Sequence, residues 1–273
     1  MRRITVFLIL TALLSTPFWW LSRHSGFYTA ILMWCPGIAA MLTLRLTGGK
    51  LGELGWRGAK LRWVAIGAAV TAGYWVLGYG AACMLGFAGF PDMAKLTTIS
   101  QGDLLFTGHS TPLAVLIVAG YAASAGVING IGRALGEELG WRGLLVPAAC
   151  SRFGFFPGAV FVGVIWAVWH WPLLYGEIPF IGIANFTLMV IGTSMPFAWL
   201  RLRSDSVWPS TVMHALHNAL RSGLFAPLTF STVPTSSLWL GETGYALAGA
   251  GALLIIGFAF LGTRNVTAQV SDA

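Results

Sequence analysis

Eight apolar runs constrain the fold of this chain more than any other feature. They lie at 4–21, 27–46, 63–88, 112–132, 157–176, 180–200, 207–227 and 244–262. A helix of about 20 apolar residues crosses the roughly 30 Å hydrocarbon core of a bilayer. The composition agrees, because 56% of the residues are hydrophobic and 9% are charged, whereas soluble domains carry about 25% charged residues. The sequence therefore predicts an all-α polytopic membrane protein with about eight transmembrane helices.

No linker, low-complexity tract or second domain interrupts the chain, so we predict a single membrane domain over 1–273. The net charge of +7 does not predict a nucleic-acid partner, because no basic stripe with interleaved aromatic residues is present to bind phosphates. The basic residues lie between the apolar runs instead, where Lys and Arg set the orientation of membrane helices. This arrangement predicts that the partner of the chain is the lipid bilayer.

The Lys and Arg residues are distributed unevenly between the two sides of the predicted bundle. Of the 16 basic residues, all but Arg23, Lys95 and Arg221 are assigned to one side by counting along the loops. That count places Arg133 and Arg142 in a loop after the fourth run. Cytoplasmic loops carry such an excess of Lys and Arg. The pattern predicts a multi-pass protein of the cell membrane with both termini in the cytoplasm.

Ionisable residues at membrane depth mark a candidate site. Placing such a group in the bilayer costs several kcal/mol, so these residues are rare there and are usually paired or functional. Of the acidic residues, only Glu137 and Glu138 adjoin an apolar run, and three histidines lie within such runs: His170, His214 and His217. A single histidine in such a run is more often a hydrogen-bonded packing residue. Two adjacent carboxylates and three histidines in one half of the chain favour a functional site.

Helical spacing assigns roles to several of these residues. Glu138 precedes Arg142 by four residues, an order that favours an ion pair along one helix face. Glu137 lies about 100° away around the same helix, which leaves it free for proton transfer. His214 and Asn218 are also four residues apart and share a face. A histidine and an asparagine on one face can both donate hydrogen bonds to a developing oxyanion.

Two further patterns accompany these residues. His217 is turned away from the face of His214 and Asn218, so we predict a packing residue there. Gly132, Gly136 and Gly140 recur every four residues, a stripe that allows another helix to approach closely.

Three short motifs follow one another in the second half of the chain: Glu137-Glu138-Leu139-Gly140-Trp141-Arg142, Trp166-Ala167-Val168-Trp169-His170 and His214-Ala215-Leu216-His217-Asn218. They resemble the EExxxR, FxxxH and HxxxN motifs of the CPBP intramembrane proteases, a family that includes type II CAAX prenyl endopeptidases, bacteriocin-processing enzymes and Abi-like proteins. The order and intervals fit over 115–225, which we predict as the catalytic core. Spans one to three, within 1–111, carry none of these motifs. Trp166 departs from the expected Phe, and we predict that this aromatic replacement affects substrate fit more than activity.

The resemblance implies an intramembrane endopeptidase with a membrane-embedded active-site cavity. In such an enzyme Glu137, together with His170, activates the water that attacks the scissile carbonyl. His214 and Asn218 then stabilise the oxyanion, and Arg142 orders the carboxylate pair. The resemblance also implies a peptide or protein substrate, with a prenylated protein and a bacteriocin precursor as alternatives.

Two questions stay open at the level of sequence. Glu137, His170 and His214 could complete a zinc site of the His₂Glu type, although the chain has no HExxH helix. The family has been described both as metalloproteases and as metal-free glutamate proteases, and we predict a metal-free enzyme. The alternative functions are a non-catalytic bacteriocin-immunity or scaffold protein on the same fold, and a proton-coupled transporter that uses Glu137 and His170 as a relay.

The depth of the two histidines poses a difficulty for this site. Counted at about 1.5 Å per residue from the cytoplasmic ends of their runs, His170 lies roughly 20 Å deep and His214 roughly 10 Å deep. Tilted helices, or a fifth helix that begins in the cytosol, would bring the two side chains level.

Overall fold

The computed structural model describes residues 1–101 and 111–265, and these residues form an all-α polytopic membrane protein, as predicted. The α-helices are α1 (Arg2–Leu21), α2 (Gly26–Leu46), α3 (Leu61–Met84), α4 (Met93–Gln101), α5 (Thr111–Glu138), α6 (Val146–Phe153), α7 (Phe155–Leu174), α8 (Phe180–Ser204), α9 (Trp208–Leu220), α10 (Ala226–Leu228) and α11 (Tyr245–Asn265). Two π-helical segments, Leu139–Leu145 and Arg221–Phe225, continue α5 and α9. The strands β1 (Ala88–Gly89) and β2 (Phe230–Ser231) form one short antiparallel pair.

Within the described ranges, six helices are long and apolar enough to cross a bilayer. They are α1, α2, α3, the continuous helix over 111–153, α7 and α8. The seventh and eighth predicted spans correspond to α9 and α11. Helix α9 has only 13 residues, and polar side chains occur among its apolar ones. It packs against α3, α5 and α8, so protein rather than lipid surrounds much of its length.

The predicted end of the fourth span at residue 132 is wrong. The helix continues from α5 through the π-helical segment Leu139–Leu145 into α6, without a loop. Arg133 and Arg142 therefore lie on this helix rather than in a cytoplasmic loop. Arg142 is fully buried and pairs with Glu138. The charge pattern was misleading here because both arginines belong to one continuous helix: Arg133 is exposed on its surface, whereas Arg142 is surrounded by interior partners and not by water.

The predicted end of the third span at residue 88 is also wrong. Helix α3 ends at Met84 because Gly86 adopts a left-handed conformation, with φ of +80°. The backbone N–H of Phe87 then bonds to the carbonyl of Ala82, a pattern that closes the last turn of a helix.

The glycine stripe brings α2 against α5. A Cβ atom added at Gly136 would lie 2.7 Å from the carbonyl oxygen of Met33, and one at Gly140 would lie 2.5 Å from Cβ of Pro36. These distances confirm the predicted close approach at two of the three glycines. Gly132 faces open space, so the stripe is shorter than the sequence suggested.

The two ends of the described chain lie on the same side of the bundle. Arg3, at the start of α1, forms an ion pair with Glu53 in the segment between α2 and α3. Near the other end, Phe258 of α11 contacts Phe155 at the start of α7. Arg3 and Glu53 also line one cavity with Pro147 and Arg152 of α6, so α6 and the start of α7 mark the side on which both described ends are found.

Candidate active site

Glu137 lies where three helices meet. The residue is 2% exposed, and its carboxylate accepts a hydrogen bond from the indole N–H of Trp166 at 2.8 Å through Oε2. Nε2 of His170 lies 3.9 Å from Oε2, and Nε2 of His214 lies 3.9 Å from Oε1. A separation of 3.9 Å is too long for a direct hydrogen bond, but a single water can connect groups at such distances.

Hydrogen bonds assign the proton positions on both imidazole rings. Nδ1 of His170 lies 2.9 Å from the carbonyl oxygen of Trp166, and Nδ1 of His214 lies 2.9 Å from Oε1 of Glu138. A carbonyl or carboxylate oxygen only accepts hydrogen bonds, so each Nδ1 carries the hydrogen. In the neutral rings Nε2 is then an unprotonated acceptor, and both Nε2 atoms face Glu137.

The second glutamate anchors two other residues of the site. Nη1 of Arg142 donates to Oε1 of Glu138 at 2.9 Å, and neither side chain is exposed. The ion pair that the spacing predicts is therefore present. The same Oε1 accepts from His214, a contact that the spacing did not predict. Glu138 thus holds an imidazole of the site as well as the arginine.

Two aromatic rings enclose the guanidinium of Arg142. Its central carbon lies 4.0 Å from the ring centroid of Trp166 and 4.1 Å from that of Phe197. A cation between two ring faces is attracted electrostatically when water is excluded. Arg142 contacts Glu138 directly, whereas Glu137 is held by Trp166.

The prediction that the replacement at Trp166 affects substrate fit more than activity did not anticipate this hydrogen bond. The side chain is part of the polar site, because its N–H binds Glu137. The signal was present in the sequence as a departure from Phe in the second motif. Only the tertiary structure, however, shows which acceptor the indole reaches.

Two cavities meet at Glu137 and Asn218. The first, called here the apolar chamber, has a volume of about 260 Å³ and contains the side chains of the site together with an apolar wall from α7 and α8. Its lining includes His170, His214, Leu173, Phe186, Met189 and Phe197. The second, called here the polar groove, measures about 470 Å³ and runs along α5 between α2 and α9. Its lining includes Thr29, Asn129, Arg133 and Ser222.

Asn218 lines both cavities, as Glu137 does. Its side-chain amide forms no hydrogen bond with any residue that the structure describes. An amide with two N–H donors is thus directed at the boundary between the two cavities. His214 and Asn218 line the same chamber, as expected for residues on one helix face.

His217 has more specific contacts than a packing residue. Nδ1 accepts hydrogen bonds from the hydroxyl of Tyr74 and, at 3.2 Å, from the indole of Trp75. Nε2 therefore carries the hydrogen, and it donates to Oε1 of Glu242 at 2.6 Å. Arg221 donates to the other oxygen of Glu242 at 2.9 Å. No local spacing in the sequence relates Glu242 to this network.

Glu242 lies in the segment between α10 and α11 and closes one wall of the apolar chamber. Burial alone would raise the pKa of Glu242, but the hydrogen bond from His217 and the charge of Arg221 lower that pKa to about 2. The carboxylate is consequently ionised near neutral pH, and it ties this segment to α9.

The structure resolves the difference in depth between the two histidines. Gly143 packs against Leu54, and the backbone N–H of Val207 bonds to the carbonyl of Gly55, so α9 begins near the level of residue 143. The chain then continues for about 16 Å of helix before α7 starts after Gly154. Both Nε2 atoms lie 3.9 Å from the Glu137 carboxylate, so the two imidazoles are level at the site, as a fifth helix that begins farther out than α9 would allow.

The three possible zinc ligands do not form a metal site as they are placed. Among the described residues, no group of three His, Cys, Asp or Glu side chains is arranged to hold a metal ion. The two unprotonated Nε2 atoms each stand 3.9 Å from Glu137 and could accept from water. Metal independence stays a prediction.

The geometry defines a polytopic membrane protein with a buried glutamate and two imidazoles at a cavity wall. Residues 113–220 match the sequence model of the type II CAAX prenyl endopeptidase Rce1-like family. The CAAX prenyl protease 2 of Methanococcus maripaludis is 26% identical over 115 residues, which cover 38% of this chain and 42% of that protein. The chain thus aligns with less than half the length of this curated relative. Both findings confirm the resemblance to the CPBP family of intramembrane proteases, and the matched segment contains all three motifs.

Proposed function

We propose that this protein is an intramembrane endopeptidase that hydrolyses a peptide bond with a water activated by Glu137 and His170. The observation that carries the proposal is the convergence of Glu137, His170 and His214 from three helices on the wall of one chamber. Helical spacing predicts Glu137 and His214 as residues of the site, and the family resemblance implies all three. The family match over 113–220 supports a CAAX-protease-like activity.

Water activation follows from the acceptor atoms. Glu137 offers a carboxylate and His170 offers an unprotonated Nε2. Both are hydrogen-bond acceptors, so neither can donate a hydrogen bond to the other. A water between them donates one hydrogen to each acceptor and presents an oxygen lone pair to the substrate. The oxygen of this water forms the new C–O bond, and Glu137 takes the proton that the water loses. When the C–N bond breaks, the leaving nitrogen receives this proton.

The oxyanion would be held by Asn218 and His214. The Asn218 amide donates directly. His214 already directs its Nδ1 hydrogen at Glu138, so Nε2 donates only while the ring is doubly protonated. Two adjacent carboxylates balance that charge. Donors that are in place before reaction stabilise a developing charge most effectively where water is excluded.

The two cavities define the substrate by its polarity. A chain that crosses Glu137 would place an apolar group in the apolar chamber and a polar segment in the polar groove. The amides of Asn129 and Asn218 and the guanidinium of Arg133 in the groove suit the peptide backbone and an anionic group. We propose a peptide or protein substrate of this kind within the bilayer, and comparison of prenylated and unprenylated peptides decides whether the apolar group is a lipid.

The test is cleavage of a peptide library by purified protein, with and without a chelator. Glu137→Gln keeps the shape of the base and removes its function, so turnover should fall by about 10²–10⁴. Glu177→Gln is the matched control, because Glu177 is exposed in the segment before α8 and should leave turnover unchanged. Cleavage at the parental rate by Glu137→Gln would overturn the assignment of the base. Loss of activity on chelation would overturn the metal-free mechanism.

A further inference from the structure

Trp166 contacts three residues of the site through three different parts of its structure. Its indole N–H donates to Oε2 of Glu137 at 2.8 Å, and its carbonyl oxygen accepts from Nδ1 of His170 at 2.9 Å. Its ring face lies 4.0 Å from the guanidinium carbon of Arg142. The residue is 6% exposed, so these contacts are shielded from water.

The indole contact is the one that orients the carboxylate. Among the described residues, no other group lies within hydrogen-bond distance of the Glu137 side chain. A glutamate has three rotatable side-chain bonds, and a single fixed donor removes much of that freedom. The indole holds Oε2, the oxygen that lies 3.9 Å from Nε2 of His170, and this orientation leaves Oε1 3.9 Å from Nε2 of His214.

We propose that Trp166 is a positioning residue that holds the Glu137 carboxylate in the orientation needed for water activation. This inference rests on the proposed function, in which Glu137 is the general base. The family motif has Phe at this position, and Phe provides the ring and the backbone carbonyl but no N–H donor. The chain therefore has a means of ordering its base that the Phe-containing motif lacks.

Trp166→Phe isolates this hydrogen bond, because it retains the aromatic face for Arg142 and the carbonyl for His170. A hydrogen bond to a charged group, or a misplaced base, changes rates by about 10–100-fold. We expect kcat to fall by about that factor while KM stays within about twofold. A purely structural role would instead lower the folded fraction and leave the kcat of the folded enzyme unchanged.

Trp169→Phe is the matched control on the same helix. Trp169 is equally buried and donates its indole N–H at 2.8 Å to Ser15, away from the carboxylate. Its replacement removes an equivalent buried hydrogen bond and should leave kcat within about twofold of the parent. An equal kcat for Trp166→Phe and the parent, or an equal loss in both variants, would overturn the inference.

A second measurement does not require Trp166→Phe to fold. The chain has 13 Trp residues, whose indole N–H groups are resolved by ¹⁵N labelling and NMR. Glu137→Gln should move one indole resonance, and Glu177→Gln should move none. If Glu137→Gln moves none, the hydrogen bond is absent and the inference is overturned. Absence of peptide cleavage by the parent would overturn the proposed function, whereas cleavage unaffected by Trp166→Phe overturns this inference alone.

Discussion

Nδ1 of His214 lies 2.9 Å from Oε1 of Glu138, the same oxygen that accepts from Arg142. The second glutamate of the pair is therefore more than a counter-ion for the arginine. It sets which nitrogen of His214 carries the hydrogen, and so which nitrogen faces Glu137. The two adjacent carboxylates consequently have different roles. Glu137 lines the cavity, and Glu138 binds the imidazole of His214 through Nδ1.

Glu138→Gln should lower both stability and turnover. Breaking a buried ion pair by removing one partner costs about 3–5 kcal/mol, because Arg142 stays buried without a counter-charge. Turnover should also fall, since the amide no longer requires a hydrogen on Nδ1 of His214. Thermal unfolding and single-turnover cleavage at matched folded fractions measure the two effects. Loss of stability with unchanged turnover would show that Glu138 pairs with Arg142 but has no role in orienting His214.

Asn218→Ala should lower turnover by about 10²–10³, as expected for the loss of one oxyanion donor. Substrate binding should change much less, because the developing charge exists only in the transition state. Single-turnover cleavage of one fluorogenic peptide, over a range of enzyme concentrations, separates the two quantities.

His217→Ala changes the helix position next to Asn218 and serves as the comparison for Asn218→Ala. Its hydrogen bonds go to Tyr74, Trp75 and Glu242, so the change should lower stability and leave the turnover of the folded enzyme within about tenfold. If His217→Ala reduces turnover more than Asn218→Ala does, the functional face of α9 has been assigned incorrectly.

Gly136→Ala should destabilise the bundle, by about 1–3 kcal/mol for an overpacked interior. The new methyl group would lie 2.7 Å from the carbonyl oxygen of Met33 in α2, and backbone cannot move aside as a flexible side chain does. Gly132→Ala is the control, because nothing lies within 4 Å of its added Cβ. Equal melting temperatures for the two variants would contradict the close contact of α2 with α5.

Glu242 should contribute to stability in a pH-dependent way. Its pKa in the folded protein is about 2, below the ordinary value of 4.5, so the unfolded chain binds a proton first as pH falls. The contribution is complete above pH 4.5 and is lost as pH falls toward 2. The difference in melting temperature between the parent and Glu242→Gln should therefore be largest near neutral pH and shrink below pH 4.5. A difference that grows on acidification would contradict the assigned ion pair.

The segment 47–62 and both termini should face the cytoplasm of the cell. The Arg3–Glu53 ion pair and the Phe155–Phe258 contact support a common side, and the excess of basic residues supports the cytoplasmic one. Single cysteines introduced into 47–62 should react with a membrane-impermeant reagent only after the cells are opened. Labelling from outside intact cells would reverse the orientation.

The sequence by itself determined the helical class and selected the residues of the candidate site. Apolar runs of about 20 residues have few alternatives to helices in lipid. Spacing of four residues identified the Glu138–Arg142 pair and the shared face of His214 and Asn218, because that relationship is set by the helix itself. The motifs, read together, selected Glu137 and His170.

Only the tertiary structure decided which partners these residues face. Trp166 and Glu137 are separated by 29 residues, Glu138 and His214 by 76, and His217 and Glu242 by 25. Helical periodicity states the direction of a side chain around its own axis but not the helix that lies opposite. The charge pattern failed at Arg142 for a related reason. A charge marks a loop only when water solvates it, and here packing between helices provides the counter-charge and the aromatic rings instead.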